Sequence, residues 1–152
     1  LGFYLACGAL ANVAQVLADP ASPIPVVGAS GAIAGVMGGY LLLFPKAKID
    51  ILVIFVVFFR VFSISAWIVL GLWFALQLLN GATSTAASSG IAYWAHIGGF
   101  AAGLVLIFPL FIRLGAAAFW RETLGHPPHP EKIYAGSLAR VPLVPRKSNT
   151  RK

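Results

Sequence analysis

A serine and a histidine begin two strongly apolar segments of this chain. Ser30 lies in a Gly-Ala-Ser-Gly run at 28–31, and His96 lies in an Ala-His-Ile-Gly-Gly run at 95–99. Polar groups within apolar spans are costly and are by default functional. A serine hydroxyl becomes a nucleophile when an adjacent base takes its proton, and neutral imidazole suits that task near pH 7. The pair predicts nucleophilic catalysis, with Ser30 as the nucleophile and His96 as the general base.

The acidic residues do not complete a triad. All four lie outside the apolar segments, at Asp19, Asp50, Glu122 and Glu131. Position 32 is alanine, whereas the nucleophile elbow of soluble hydrolases has a second glycine there. The chemistry is therefore expected to use a dyad. His126 and His129 lie in a proline-rich run without further ligands, so neither a metal nor a cofactor is expected.

The composition indicates a membrane protein. Of the 152 residues, 59% are hydrophobic and 10% are charged, and mean hydropathy is +0.88. A soluble domain carries about 25% charged residues. The net charge of +7 comes largely from residues that follow the last apolar segment. That distribution is typical of juxtamembrane charge and argues against a nucleic-acid partner.

Four apolar segments are predicted to cross the bilayer: 1–18, 28–44, 64–79 and 91–112. We therefore expect an all-α membrane protein with a polytopic helical bundle. The apolar stretch 51–59 is too short to cross as a helix, and 49–62 is interpreted as an interfacial stretch with Arg60 at the headgroups. The alternative is one long tilted helix over 49–79. Gln77 and Asn80 are expected to cap or solvate the outer end of the third span. The tail 114–152 is expected to be basic, disordered and cytoplasmic.

Charge asymmetry predicts the topology of these spans. Loops 19–27 and 80–90 contain no lysine or arginine, whereas 45–48 and the tail do. The positive-inside rule places the second group in the cytoplasm. The second and fourth spans then run parallel, and Ser30 and His96 lie at similar depth near the outer face.

Small residues could bring these two spans together. Glycines recur at four-residue spacing in both spans, at Gly31, Gly35, Gly39, Gly99 and Gly103. Such spacing permits close approach of helix backbones in lipid. Simple packing of a multi-pass protein remains an alternative interpretation of the glycines alone.

Four runs resemble the rhomboid family of intramembrane serine proteases, bacterial type. VVGASGAIAG at 26–35 and YWAHIGGFAAG at 93–103 resemble the two catalytic-helix signatures. AWIVLGLWF at 66–74 and FYLACG at 3–8 resemble the fifth- and third-helix regions. The resemblance covers residues 1–113, the expected membrane domain.

The resemblance implies that the spans are helices three to six of a six-helix core, so that the chain is the C-terminal part of a longer protein. It implies an intramembrane endopeptidase that cleaves transmembrane protein substrates in a bacterial plasma membrane. The Ser30 backbone N–H would contribute to the oxyanion hole, with Gly28 shaping the turn. The family's second-helix His and Asn have no counterpart here, so this stretch alone is expected to be nearly inactive. Ala34 stands where the family often has an aromatic residue that packs on the histidine; Tyr93 or a residue outside the chain is expected to orient His96 instead.

Two other functions are compatible with the sequence. The first is a catalytically inactive relative that binds transmembrane clients. The second is part of a transporter or channel, which would predict further polar residues deep in the spans. Residues 37–44 and 100–112 supply none beyond Tyr40.

Overall fold

Helices dominate the fold. The computed structural model describes residues 1–21, 29–55, 58–83 and 90–128. The elements are α1 Gly2–Ala18, α2 Ser30–Leu43, β1 Lys48–Phe55, β2 Phe58–Ser65, α3 Ala66–Thr83, α4 Tyr93–Arg113 and α5 Ala117–Thr123. The predicted all-α membrane class is confirmed, with one two-stranded sheet added to it.

The helices differ in length. α3 has 18 residues and α4 has 21, and both are long and apolar enough to cross a membrane. α1 and α2 are also apolar but have 17 and 14 residues. At 1.5 Å per residue, α2 is about 10 Å shorter than α4. α2 therefore has about two thirds of the length of α4.

The segment after α2 is a β-hairpin. β1 and β2 pair antiparallel from Lys48 opposite Ser65 to Phe55 opposite Phe58. The alternative of one long tilted helix over 49–79 is wrong, because helix α3 begins only at Ala66. Both strands are rich in β-branched and aromatic residues, which favour pleated backbone over helix.

The base of the hairpin connects α2 to α3. The Ala66 N–H donates to the Ala47 carbonyl at 2.7 Å, and the Trp67 N–H donates to the Pro45 carbonyl at 3.2 Å. Ala47 and Ala66 are fully buried and form a core cluster with Ala34 and other residues of α3 and α4. The hairpin thereby fixes where α3 begins relative to the end of α2.

Backbone contact between α2 and α4 forms the centre of the bundle. The Cα of Gly99 faces the Gly31 carbonyl, and that of Gly103 faces the Gly35 carbonyl. Residue numbers increase together along both helices, so α2 and α4 are parallel, as the charge distribution predicted. α1 packs across this pair, with the buried Cys7 against Gly35.

A short helix, α5, packs under the end of α2. The Trp120 indole N–H donates to the Leu42 carbonyl at 2.9 Å. The Lys46 N–H donates to the Gly125 carbonyl at 3.0 Å. This ordered helix differs from the disorder expected for the tail; residues 129–152 lie outside the described part of the chain.

Candidate active site

Ser30 is the first residue of α2. The first backbone bond of this helix runs from the Ile33 N–H to the Ala29 carbonyl at 2.9 Å. The N–H groups of residues 30–32 thus precede the first intrahelical bond, and the N-terminus of a helix is suited to an anion. Ser30 is exposed. Its hydroxyl and its backbone N–H therefore lie at an accessible, electropositive helix end.

His96 lies in the first turn of α4, on the face toward α2. Gly99 and Gly103 follow it by three and seven residues, which is the same helical face. Gly31 directly follows Ser30, and Ala95 directly precedes His96. A Cβ atom added to Gly31 would lie 3.4 Å from the Ala95 carbonyl oxygen. The helix contact therefore places Ser30 and His96 at the same level. Among the described residues, no hydrogen bond joins the Ser30 hydroxyl to the His96 ring.

Trp73 of α3 lies beside the His96 ring. The two ring centroids are 5.9 Å apart at an interplanar angle of 41°. Trp73 also contacts Phe100, one turn further along α4, at 6.1 Å. Ala34 is fully buried in the cluster that contains Phe100. The aromatic neighbour of His96 therefore comes from α3, and not from Tyr93 or from outside the chain as expected.

Gln77 of α3 is the hydrogen-bonding partner of His96. Its side-chain oxygen lies 2.9 Å from His96 Nδ1. Gln77 is only 8% exposed. The expectation that Gln77 caps or solvates the end of the third span is wrong, because the side chain points into the bundle. Its position, four residues after Trp73, places both side chains on one face of α3.

Gln15 of α1 supports the same turn of α4 from another side. Its side-chain oxygen accepts a hydrogen bond from the Ala95 N–H at 3.1 Å, and the residue is 3% exposed. The N-cap residue of α4 is Ala92, which has no side chain that could cap the helix. Gln15 supplies from another helix the acceptor that an N-cap side chain would normally provide.

The sequence contained a signal for both glutamines. Each is a polar residue within an apolar helix, the criterion that identified Ser30 and His96. Gln15 and Gln77 are the buried polar side chains of the described part of the chain. What the sequence lacked was the relative rotation of the helices, which decides whether an amide faces a neighbour or the lipid.

The remaining predicted site residues contribute less to this arrangement. Gly28, the predicted turn residue, lies outside the described residues, as does His129. Gly39 lies near Phe3 of α1 and Gly103 of α4. Within the described ranges, no group of three or more His, Cys, Asp or Glu side chains could hold a metal ion.

The chain matches the model of a known protein family. The family model described as Rhomboid domain matches residues 1–113. Comparison with curated proteins and with solved structures gives no significant match. The matched range includes α1 to α4 and ends where α4 ends.

Proposed function

Because the chain belongs to the rhomboid family of integral membrane proteins, we propose that it is an intramembrane serine endopeptidase with a Ser30–His96 dyad. The observation that carries this proposal is the contact between Gly31 of α2 and Ala95 of α4. Each contacting residue directly adjoins one member of the dyad. Gly31 has no side chain of its own, and the Ala11 side chain of α1 packs beside this contact.

In the proposed mechanism, the Ser30 hydroxyl attacks the carbonyl carbon of the scissile peptide bond. His96 accepts the hydroxyl proton as the new C–O bond forms. The negative charge that develops on the carbonyl oxygen is stabilised by the Ser30 backbone N–H, which lies at the positive end of α2. Gly28, which lies outside the described residues, is proposed to shape the turn before this N–H group.

The intermediate then collapses. The peptide C–N bond breaks, and His96 returns its proton to the leaving amine. A water molecule, deprotonated by His96, attacks the resulting acyl-enzyme and releases the second product with regeneration of the Ser30 hydroxyl. The dyad thus needs water at the start of α2, where Ser30 is exposed.

We propose transmembrane protein segments as the substrates. A helical peptide bond is closed to attack, because its carbonyl is hydrogen-bonded and shielded by side chains. Segments with small or helix-weakening residues near the outer face would expose the carbonyl most readily. From the positive-inside rule we propose that loops 19–27 and 80–90 lie at the outer face of a bacterial plasma membrane and that the basic tail lies in the cytoplasm.

Two serine and two histidine variants test the dyad in the full-length protein in detergent. Labelling by a fluorophosphonate probe and cleavage of a fluorogenic transmembrane substrate are measured for Ser30→Ala and His96→Ala. Both activities are expected to be lost. Ser63→Ala and His126→Ala are the matched controls, since these residues lie in the hairpin and after α5. Labelling that persists in Ser30→Ala would overturn the proposal.

A catalytically inactive protein that binds transmembrane clients is the second candidate. The observation in its favour is that the Ser30 hydroxyl and the His96 ring are not hydrogen-bonded to each other. Catalytic hydrogen bonds are often long or open in enzymes without substrate, which is why the protease remains preferred. Client binding without labelling or cleavage by the unmodified protein would decide for this candidate.

A further inference from the structure

A buried amide faces the proposed general base. Gln77 is one of the buried polar side chains of the described chain, and its oxygen lies 2.9 Å from His96 Nδ1. Burying an amide without a hydrogen bond destabilises a folded protein. A leucine at position 77 would fill the same space without needing a hydrogen-bond partner. The contact with His96 is therefore the feature of Gln77 that packing alone does not explain.

The direction of this hydrogen bond fixes the tautomer of the imidazole. An amide oxygen only accepts, so Nδ1 must carry the proton. In a neutral imidazole, Nε2 then has the free lone pair. Nε2 is the nitrogen that would take the proton of Ser30 in the proposed dyad.

We propose that Gln77 is a positioning residue that holds His96 in the Nδ1–H tautomer and so keeps Nε2 available as the base. This inference rests on the proposed function. Within the described residues, no carboxylate is hydrogen-bonded to or paired with His96. Gln77 therefore takes the place that an aspartate occupies in a Ser-His-Asp triad.

A neutral amide suits this depth better than a carboxylate. An unpaired carboxylate in a low-dielectric bundle carries a large desolvation penalty, and it would take up a proton rather than remain charged. The glutamine oxygen orients the ring without adding a charge. Trp73, one turn earlier on α3, holds the ring plane from the side.

Nitrogen NMR of the full-length protein labelled with ¹⁵N-histidine tests the tautomer directly. The two ring nitrogens of His96, assigned by their absence in His96→Ala, report which one carries the proton. The unmodified protein is expected to show protonated Nδ1 and unprotonated Nε2. Gln77→Leu is expected to show a mixture of both tautomers. Asn80→Leu is the matched control, because it removes another amide from α3 without removing the partner of His96.

Enzyme kinetics supply the second readout. We expect Gln77→Leu to lower kcat by about 10²-fold, the scale of a misplaced catalytic group, with little change in KM. Gln77→Glu keeps an oxygen that can accept from Nδ1–H even when the carboxyl group is protonated, and it is expected to retain the tautomer and most of the activity. Thermal unfolding of each variant shows whether the bundle has folded, and Gln77→Glu tests the proposal if Gln77→Leu does not fold.

The outcomes separate this inference from the proposed function. Protonated Nε2 in the unmodified protein, or an unchanged tautomer in Gln77→Leu, would overturn the role of Gln77 even if the protein is a protease. Conversely, the protein could be inactive and still show the expected tautomer and the expected response to Gln77→Leu. That result would contradict the proposed dyad but support the hydrogen bond between Gln77 and His96. A kcat loss in Gln77→Leu that Gln77→Glu does not restore would also count against the positioning role.

Discussion

Replacing Gly103 by alanine should force α2 and α4 apart. An alanine Cβ at this position would lie 2.5 Å from the carbonyl carbon of Gly35 and 2.7 Å from its Cα. Non-bonded carbon atoms prefer a separation of about 3.5–4.0 Å. The helices would therefore have to separate by roughly 1 Å. The obstructing atoms belong to the backbone, so no side-chain rotation relieves the contact.

The expected loss of stability follows from that displacement. A gap of this size forfeits about a quarter to a half of the dispersion attraction across it, and overpacking typically costs about 1–3 kcal/mol. We expect the upper end, because backbone meets backbone. The better helix propensity of alanine offsets up to about 1 kcal/mol of this loss of stability. The net destabilisation is therefore about 2 kcal/mol.

Unfolding of the purified protein in detergent measures this loss, and Gly71→Ala is the matched control. Gly71 lies within α3, and a Cβ there meets nothing within 4 Å. Gly71→Ala should leave stability unchanged or raise it by up to about 1 kcal/mol. Equal stability of the two variants would refute the close backbone contact between α2 and α4.

The Gly103→Ala variant should also lose activity at temperatures at which it remains folded. Gly103 follows His96 by seven residues, about 10 Å along α4, so the substitution does not touch the proposed dyad. A displacement of 1 Å from a remote mutation can cost about 10²-fold in rate. A folded Gly103→Ala protein with full proteolytic activity would contradict the dependence of the site on this helix contact.

Three further substitutions probe the supports around the site, each by thermal unfolding against the unmodified protein. Gln15→Leu leaves the Ala95 N–H unpaired in a buried turn and should cost about 1–3 kcal/mol; no change would exclude this hydrogen bond. Trp120→Phe removes one hydrogen bond from α5 to α2 but keeps a ring, so the loss should be about 0.5–1.5 kcal/mol, and a larger loss would mean that ring packing dominates. Ser63→Ala breaks an exposed cross-strand hydrogen bond to Asp50 and should cost under about 1 kcal/mol; a larger loss would show the hairpin to be less exposed than described.

The helices were predictable because apolar runs and their proline or charged boundaries are local features. The predicted spans 1–18, 28–44 and 91–112 agree with α1, α2 and α4 to within two residues at each end. The parallel arrangement of α2 and α4 followed from the charges of the loops. Neither inference needed any information on how side chains meet.

The hairpin was not predictable in the same way, because its strands are apolar on both faces. Half-buried strands show alternation of apolar and polar residues, and these strands show little of it. The pairing of Asp50 with Ser63 is visible only once the register is known. Gln77 was misinterpreted for a related reason, since the rotation of α3 toward His96 depends on tertiary packing.

The ladder of glycines between α2 and α4 also restricts the sliding of one helix along the other. Gly31 meets Gly99 and Gly35 meets Gly103, so the steps on both helices are four residues long. The next arrangement with the same fit lies one step away, a shift of about 6 Å. Intermediate positions would drive carbonyl groups against the side chains of the residues between the glycines. The separation of Ser30 and His96 along the helix axes is thus set in discrete steps by the glycine spacing, and only one of these steps brings the two residues level.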